Sequence, residues 1–121
     1  MRGGYCWAMP GPWQTRVDAD GWEPMELSGE IVGEVHSLRS DNGERPYEVG
    51  LWRVLGDLPA LFAYDFEQNE TIHVLEGAVV IDVEGGPTLE LEQGDIASFA
   101  AGSRAVWRIS RTPFRELFVL S

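Results

Sequence analysis

The chemistry open to this 121-residue chain is narrowed by the residue types that it lacks. It contains two histidines, His36 and His73, and one cysteine, Cys6. Imidazole and thiolate are the ligands that hold zinc, iron, copper and nickel well, so a carboxylate such as Glu70 with hydroxyls and waters would bind a metal weakly. We therefore expect no metal and no other cofactor, and Glu70 is the candidate catalytic residue.

Glu70 follows an aromatic segment, which leaves three interpretations open. Burial among Tyr64, Phe66 and Trp107 would raise its pKa toward neutrality, as a general acid or base requires. It could instead anchor a cationic or hydroxylated ligand. It could also be a buried acid satisfied by the Tyr64 hydroxyl or an arginine, since buried polar groups are nearly always hydrogen-bonded whatever their role.

The charge of the chain excludes several classes of partner and reaction. There are 20 acidic and nine basic residues, and the formal net charge is −11. Nucleic acids and anionic membranes bind clustered positive charge, so neither is an expected partner. All nine basic residues are arginine, which excludes lysine Schiff-base chemistry and a P-loop. One cysteine cannot form an internal disulfide and no apolar run approaches a membrane span, so we expect a cytoplasmic protein.

Glycines and prolines recur at short intervals, and the alternating apolar segments between them predict an all-β sandwich or barrel. Residues 41–43 (Asp-Asn-Gly) predict a hairpin with a type I′ turn. Residues 60–76 contain no glycine or proline and could be helical, but their alternation favours two strands around a turn at 67–69. Further strands are predicted at residues 79–83, 88–91, 96–99, 105–109 and 116–120.

Residues 1–20 show neither a strand nor a helix period, which predicts an irregular arm before a single domain at 21–121. The arm contains Tyr5, Trp7 and Trp13, and large aromatic side chains are costly to leave in water. We therefore expect the arm to lie against the barrel of its own subunit or of a partner. A loosely ordered terminus is the alternative.

The spacing around Glu70 resembles the two motifs of the cupin superfamily, G-x5-H-x-H-x3-E-x6-G and G-x5-P-x-G-x2-H-x3-N. Six residues separate Glu70 from Gly77, and further glycines follow at positions 85, 94 and 102. Tyr64 and Phe66 stand at the two histidine positions of the first motif. Ala105 stands at the histidine position of the second. Only the acidic ligand of a cupin metal site is therefore retained.

The resemblance extends over roughly residues 22 to 120. Gly50-Leu51-Trp52, an LEG at 75–77 and Trp107 are similar to a subgroup of small cupins that includes ureidoglycine aminohydrolase-like and ethanolamine-utilisation cupins. The family implies an all-β double-stranded β-helix, or jelly-roll barrel, that is usually a homodimer. The aminohydrolase members use a bound metal whose histidines are absent here, so that activity is not expected.

The cupin frame also implies a site, because its ligand positions point into the mouth of the barrel. Together with strand alternation it predicts a ligand pocket with aromatic walls and one carboxylate. The predicted lining residues are Trp52, Tyr64, Phe66, Glu70, Ala105 and Trp107. Alanine in place of histidine would leave space for a small organic molecule.

Strand alternation places the remaining candidates outside this pocket. His73 is three residues from Glu70, so we expect it on the outer face of the same strand. Arg53, Arg104 and Arg108 are expected to form ordinary surface ion pairs. His36 precedes a turn and has no partner in the sequence, so it is assigned no role.

Three functions fit these observations. The first is a metal-free cupin that binds a small organic molecule as a sensor or accessory protein. The second is an enzyme in which Glu70, with Tyr64, moves a proton in lyase, isomerase or hydrolase chemistry, with or without a weakly held metal. The third is a structural or assembly module with a vestigial pocket. The fold alone does not choose among them, because cupins host many unrelated functions.

Overall fold

A computed structural model describes residues 11–56 and 61–121 of the chain. It contains eight strands: β1 (Glu23–Leu27), β2 (Glu30–Asp41), β3 (Tyr47–Val54), β4 (Leu61–Asp65), β5 (Glu70–Val83), β6 (Thr88–Glu92), β7 (Ile96–Phe99) and β8 (Arg104–Leu120). All of their pairings are antiparallel. The all-β prediction is therefore confirmed. Within the described residues no helix is long and apolar enough to cross a membrane.

Most predicted strands are present. The turn at 67–69 separates β4 from β5, so the two-strand interpretation of residues 60–76 is correct and the helical one is wrong. The hairpin predicted at 41–43 joins β2 to β3, but its connection spans residues 42–46 and is longer than a two-residue type I′ turn. The Asp41 side chain shapes this loop by accepting a hydrogen bond from the Gly43 amide at 2.8 Å.

The two segments predicted at 105–109 and 116–120 are the ends of one continuous strand, β8. Along one edge, residues 104–108 of β8 pair with β4, and residues 114–120 pair with β3. Along the other edge β5 accompanies it throughout, from Glu70 opposite Leu120 to Val83 opposite Ala105. These two long strands therefore run through both halves of the sheet. One half contains β4 and β6, and the other contains β1, β2, β3 and β7.

The long strands change direction around Gly77. The ladder between β5 and β8 shifts register between Val74 and Val79, and Gly77 has a φ of +81°. A Cβ at this position would lie 2.5 Å from the carbonyl oxygen of Pro113 and 2.6 Å from that of Arg111. Glycine is required here both by the left-handed backbone and by the close approach of β8.

The core lies between the two halves and draws side chains from both. Its fully buried members include Ile72, Val74 and Phe114 from one half and Val79 and Ile81 from the other. Burying each such side chain contributes roughly 1.5–3 kcal/mol. This packing fixes the inward faces of β5 and β8, and with them the side chains of the site.

The first ten residues of the predicted arm lie outside the described residues. Residues 11–22 carry no strand and are joined to the sheet through His36, which lies within β2. His36 Nε2 is 2.7 Å from the Thr15 hydroxyl, and its Nδ1 is 3.1 Å from the Gly21 carbonyl oxygen. The expectation that His36 has no role is therefore wrong, because its partners lie 15 and 21 residues earlier in the chain.

Candidate ligand-binding site

A cavity of about 240 Å³ opens where both halves of the sheet contribute side chains. An apolar cavity of about 150 Å³ is large enough for benzene, so this one accommodates a ligand somewhat larger than a single ring. Four of the six predicted site residues, Trp52, Tyr64, Glu70 and Trp107, are brought together in its lining. Among the described residues, its lining consists of Met25, Val35, Glu48, Trp52, Phe62, Tyr64, Glu70, Trp107, Glu116, Phe118 and Leu120.

Phe66 and Ala105 are buried but do not line this cavity. The Phe66 ring stacks on Phe99 with their centroids 4.5 Å apart, which turns it into the core. Ala105 lies opposite Tyr64 in the ladder between β4 and β8 and belongs to the same core cluster. The space expected at Ala105 is therefore not part of the cavity. The prediction that Phe66 and Ala105 line the pocket is corrected, because both belong to the hydrophobic core.

Tyr64 and Glu70 form the polar centre of the cavity. Glu70 opens β5 and is 6% exposed, and the Tyr64 hydroxyl donates a hydrogen bond to Glu70 Oε1 at 2.8 Å. Burial raises the pKa of Glu70, the hydrogen bond from Tyr64 opposes that rise, and the charge of Glu48 adds to it. Burial, followed by the charge of Glu70, also raises the pKa of the Tyr64 hydroxyl. Of the two hydrogen-bond partners considered for a buried Glu70, the Tyr64 hydroxyl or an arginine, the structure shows the Tyr64 hydroxyl.

Glu116 is a second buried carboxylate that the sequence interpretation missed. It is 2% exposed and lies beside Trp52 of β3 and Val74 of β5 in the sheet. Among the described residues its Oε1 has no hydrogen-bond partner. Burial raises the pKa of Glu116 well above its usual range, and the charge of Glu70 raises it further. The sequence does contain a signal for this burial. Glu116 lies two residues from each of the buried Phe114 and Phe118, so it shares their face of β8.

The third carboxylate of the cavity comes from Glu48 at the start of β3. It shares the inward face of that strand with Gly50 and Trp52, so the same parity argument could have found it. No arginine is among the described lining residues of this cavity. The site is therefore acidic as well as apolar.

The arginines near the site in sequence are engaged elsewhere. Arg53 Nε pairs with Glu34 at 2.9 Å, and Arg104 Nε pairs with Asp65 at 2.7 Å. The expectation of ordinary ion pairs is confirmed for these two residues. Arg108 is exposed on β8.

Two tryptophans and Phe62 form the aromatic wall. The Trp107 ring stacks on Phe62 and meets Trp52 edge to face, with both pairs of centroids 5.9 Å apart. Neither indole N–H has a hydrogen-bond partner among the described residues. The Trp52 indole nitrogen lies under Gly33, where an added Cβ would approach it to 2.7 Å. Gly33 therefore gives the Trp52 indole the room to lie in the wall.

The residues at the cupin ligand positions do not fit a metal ion. Phe66 and Ala105 carry no ligand atom, and the Tyr64 hydroxyl is committed to Glu70. In the described ranges, no three histidine, cysteine, aspartate or glutamate side chains are grouped so as to hold one. Of the metal-binding residues of cupins only the acidic one, Glu70, is retained.

His73 lies on β5 between the buried residues Ile72 and Val74 and is itself partly exposed. Strand alternation therefore turns it away from the core, on the face opposite to Glu70, as predicted.

Comparisons with known proteins identify the fold. The EutQ-like cupin domain family matches residues 44–118. A DUF861 family protein from Thermotoga maritima is 30% identical, with a TM-score of 0.52 over 59% of this chain and 76% of that one. EutQ from Clostridium difficile is 14% identical, with a TM-score of 0.61 over 80% and 74% of the two chains. KdgF from Halomonas sp. is 13% identical, with a TM-score of 0.63 over 84% and 87%. None of the curated proteins matches the sequence.

Proposed function

This chain belongs to the EutQ-like cupin family, and from that premise we propose that it binds a small organic molecule in the cavity between the halves of its sheet. The observation that carries the proposal is the buried Tyr64–Glu70 hydrogen bond, which faces a cavity with aromatic walls. A mostly apolar cavity with a few oriented polar groups is the usual form of a small-molecule site.

Each part of the site has a distinct task in this proposal. Glu70 receives one hydrogen bond from Tyr64, and the remaining lone pairs of its carboxylate are acceptors for a donor group of the ligand. Tyr64 fixes the orientation of that carboxylate. Trp52, Phe62 and Trp107 bury the apolar part of the ligand, which supplies the hydrophobic contribution to affinity.

An enzyme that moves a proton is the second candidate. It is favoured by the raised pKa of Glu70 and of Glu116, because a carboxyl group that titrates nearer neutrality serves as a general acid or base. In that case Tyr64 orients the carboxylate for proton transfer. Both candidates require the same cavity, and turnover of a bound compound distinguishes them.

The proposal is tested by a thermal-shift screen of small amines, polyols and carboxylates on the wild type and on Glu70→Gln. At least one compound should raise the melting temperature of the wild type, and the shift should be lost in Glu70→Gln while folding is retained. Glu90→Gln is the matched control, because it removes one exposed charge on β6 away from the cavity. If no compound shifts the wild type and Glu70→Gln melts higher, the pocket is vestigial and the chain is a structural module.

A homodimer in the cytoplasm completes the proposal. Leu61 on β4 is 61% exposed and Ile96 on β7 is 67% exposed, and both are apolar surface that a second copy could cover. The single cysteine gives no sign of an oxidising compartment.

A further inference from the structure

The cavity combines three carboxylates with aromatic walls, and we infer that its ligand is a small organic cation whose ammonium group binds at Glu70 and Glu116. This inference rests on the proposed function and names the chemical class of the ligand. The third carboxylate, Glu48, completes an acidic lining to which no described basic side chain contributes.

The burial of Glu116 without a hydrogen-bond partner for its Oε1 among the described residues is the observation that points to a cation. Its side chain lines the cavity at 2% exposure, and Oε1 has no hydrogen-bond partner in the described part of the protein. A buried carboxylate without a partner is unfavourable unless a proton or a positive charge compensates it. An ammonium group carries that charge and up to three N–H donors, which suits the open acceptors of Glu116 and Glu70. Burial raises the pKa of both carboxyl groups, and the neighbouring charges of Glu48 at Glu70 and of Glu70 at Glu116 raise it further.

Within residues 11–56 and 61–121, no arginine lines the cavity to supply the missing charge. Arg53, Arg104 and Arg115 are each paired with a carboxylate outside the cavity, namely Glu34, Asp65 and Glu76. A ligand carboxylate or phosphate would find no described arginine in the lining and would face three acidic side chains. The net charge of −11 also favours the approach of cations over that of anions.

The geometry favours an organic cation over a metal ion. The three carboxylates are not grouped as metal ligands in the described ranges, and aromatic side chains line the same cavity. Tyr64 and Trp107 lie with their centroids 5.9 Å apart in this wall. Aromatic faces attract ammonium groups and bury the carbon skeleton attached to them. A cavity of about 240 Å³ suits an amine with one ring or an equivalent chain.

The test is calorimetric titration, at about pH 8, with three probes of nearly equal size: benzylamine, benzyl alcohol and benzoate. Benzylamine should bind about tenfold more tightly than benzyl alcohol, and benzoate should show no binding. Glu116→Gln should weaken benzylamine about tenfold and leave benzyl alcohol within about twofold. Glu48→Gln provides a second variant at a less buried position, should Glu116→Gln fail to fold. The Glu90→Gln control should leave every affinity unchanged.

The outcomes separate this inference from the function on which it rests. Binding of benzyl alcohol or benzoate as tightly as benzylamine overturns the cationic ligand but leaves a small-molecule site. Benzylamine affinity that is unchanged in every folded variant of Glu116 and Glu48 overturns the assigned carboxylates. If none of the three probes binds, the inference falls, and the broader thermal-shift screen then decides separately whether the cavity binds anything.

Discussion

Glu116 is the residue whose energetics differ most from those of an ordinary surface acid. Its neighbours in the sheet are Trp52 and Val74, and burial raises its pKa well above the value of 4.5 that the unfolded chain would show. The folded state therefore keeps a proton that the unfolded state loses as the pH rises above 4.5. The stability of the protein must then fall with rising pH through the folded pKa of this group.

Replacing Glu116 with methionine, which is similar in size and uncharged, should stabilise the protein at pH 8 by about 1–3 kcal/mol. The gain should shrink as the pH falls toward 5, because the unfolded wild-type chain then also begins to bind the proton and the free-energy cost of burying Glu116 decreases. Urea denaturation between pH 5 and pH 8 measures this, with Glu90→Gln as the control for loss of net charge. A gain that does not depend on pH would contradict the account of Glu116.

Tyr64→Phe removes the hydrogen bond that opposes the burial of the Glu70 charge. The pKa of Glu70 should rise further, and stability at pH 8 should fall by about 1–2 kcal/mol. Carboxyl chemical shifts followed by NMR report the pKa, and urea denaturation reports the stability. Tyr47→Phe serves as the control, since it removes a hydroxyl outside the cavity lining. An unchanged Glu70 titration would show that the hydrogen bond has no influence on this carboxyl group.

The site could be predicted only in part from single residues. The cupin frame places Tyr64 and Glu70 together, and a hydrogen bond between them is one of the interpretations that the sequence leaves open. The sequence interpretation missed Glu116 because it considered only the apolar residues of this strand. Glu116 lies on the same face of β8 as Phe114 and Phe118, which are buried. Strand parity predicts which face of a strand a side chain lies on, but not how deeply it is buried. The stacking of Phe66 on Phe99 therefore could not be predicted from parity.

Among the elements, β5 and β8 decide the architecture because they pair along most of their lengths and serve both halves of the sheet. The sequence indicates the ends of β8 but not its continuity, since a proline such as Pro113 predicts a break between strands. Proline has no N–H donor and a restricted φ, but Pro113 is not among the paired residues of β8, so its missing donor removes no ladder bond. Alternation and turn residues located β4, β6 and β7 because those signals are local.

The bend of β5 predicts a large difference between two glycine substitutions. Gly77→Ala should destabilise the protein by about 3 kcal/mol or more, because its Cβ would clash with carbonyl oxygens of β8 as well as strain the backbone. Gly94→Ala is the matched control: its φ is +97° and an added Cβ meets nothing within 4 Å, so it should cost only about 1–2 kcal/mol. Urea denaturation of both variants gives the comparison. Equal losses would mean that the contact between Gly77 and β8 is unimportant.

For the molecule as a whole, the fold was open to prediction because glycine spacing and alternation extend over most of the chain. The function was not, because the residues that define chemistry in a metal-binding cupin are replaced by Tyr64, Phe66 and Ala105. Where a metal-binding cupin has its metal centre, this chain has an acidic aromatic cavity whose described lining comes from six strands. Such convergence of distant residues has no signature in a single sequence.

The expected assembly of the chain is a homodimer. We predict a homodimer, so light scattering at micromolar concentration should give twice the monomer mass of 13.5 kDa. Deleting residues 1–20 should weaken the dimer, if the aromatic arm covers the partner's barrel. A monomeric full-length chain would contradict this prediction.

Ligand binding in the cavity can be observed through the indole N–H signals of the tryptophans, in an NMR titration with a compound that the thermal-shift screen selects. Trp52 and Trp107 line the cavity, whereas Trp13 and Trp22 lie outside it and act as internal controls. If the ligand binds in the cavity, we expect saturable shifts of the Trp52 and Trp107 signals, and the Trp13 and Trp22 signals should not move. Movement of the Trp13 or Trp22 signals while Trp52 and Trp107 stay fixed would place binding elsewhere and contradict the claim.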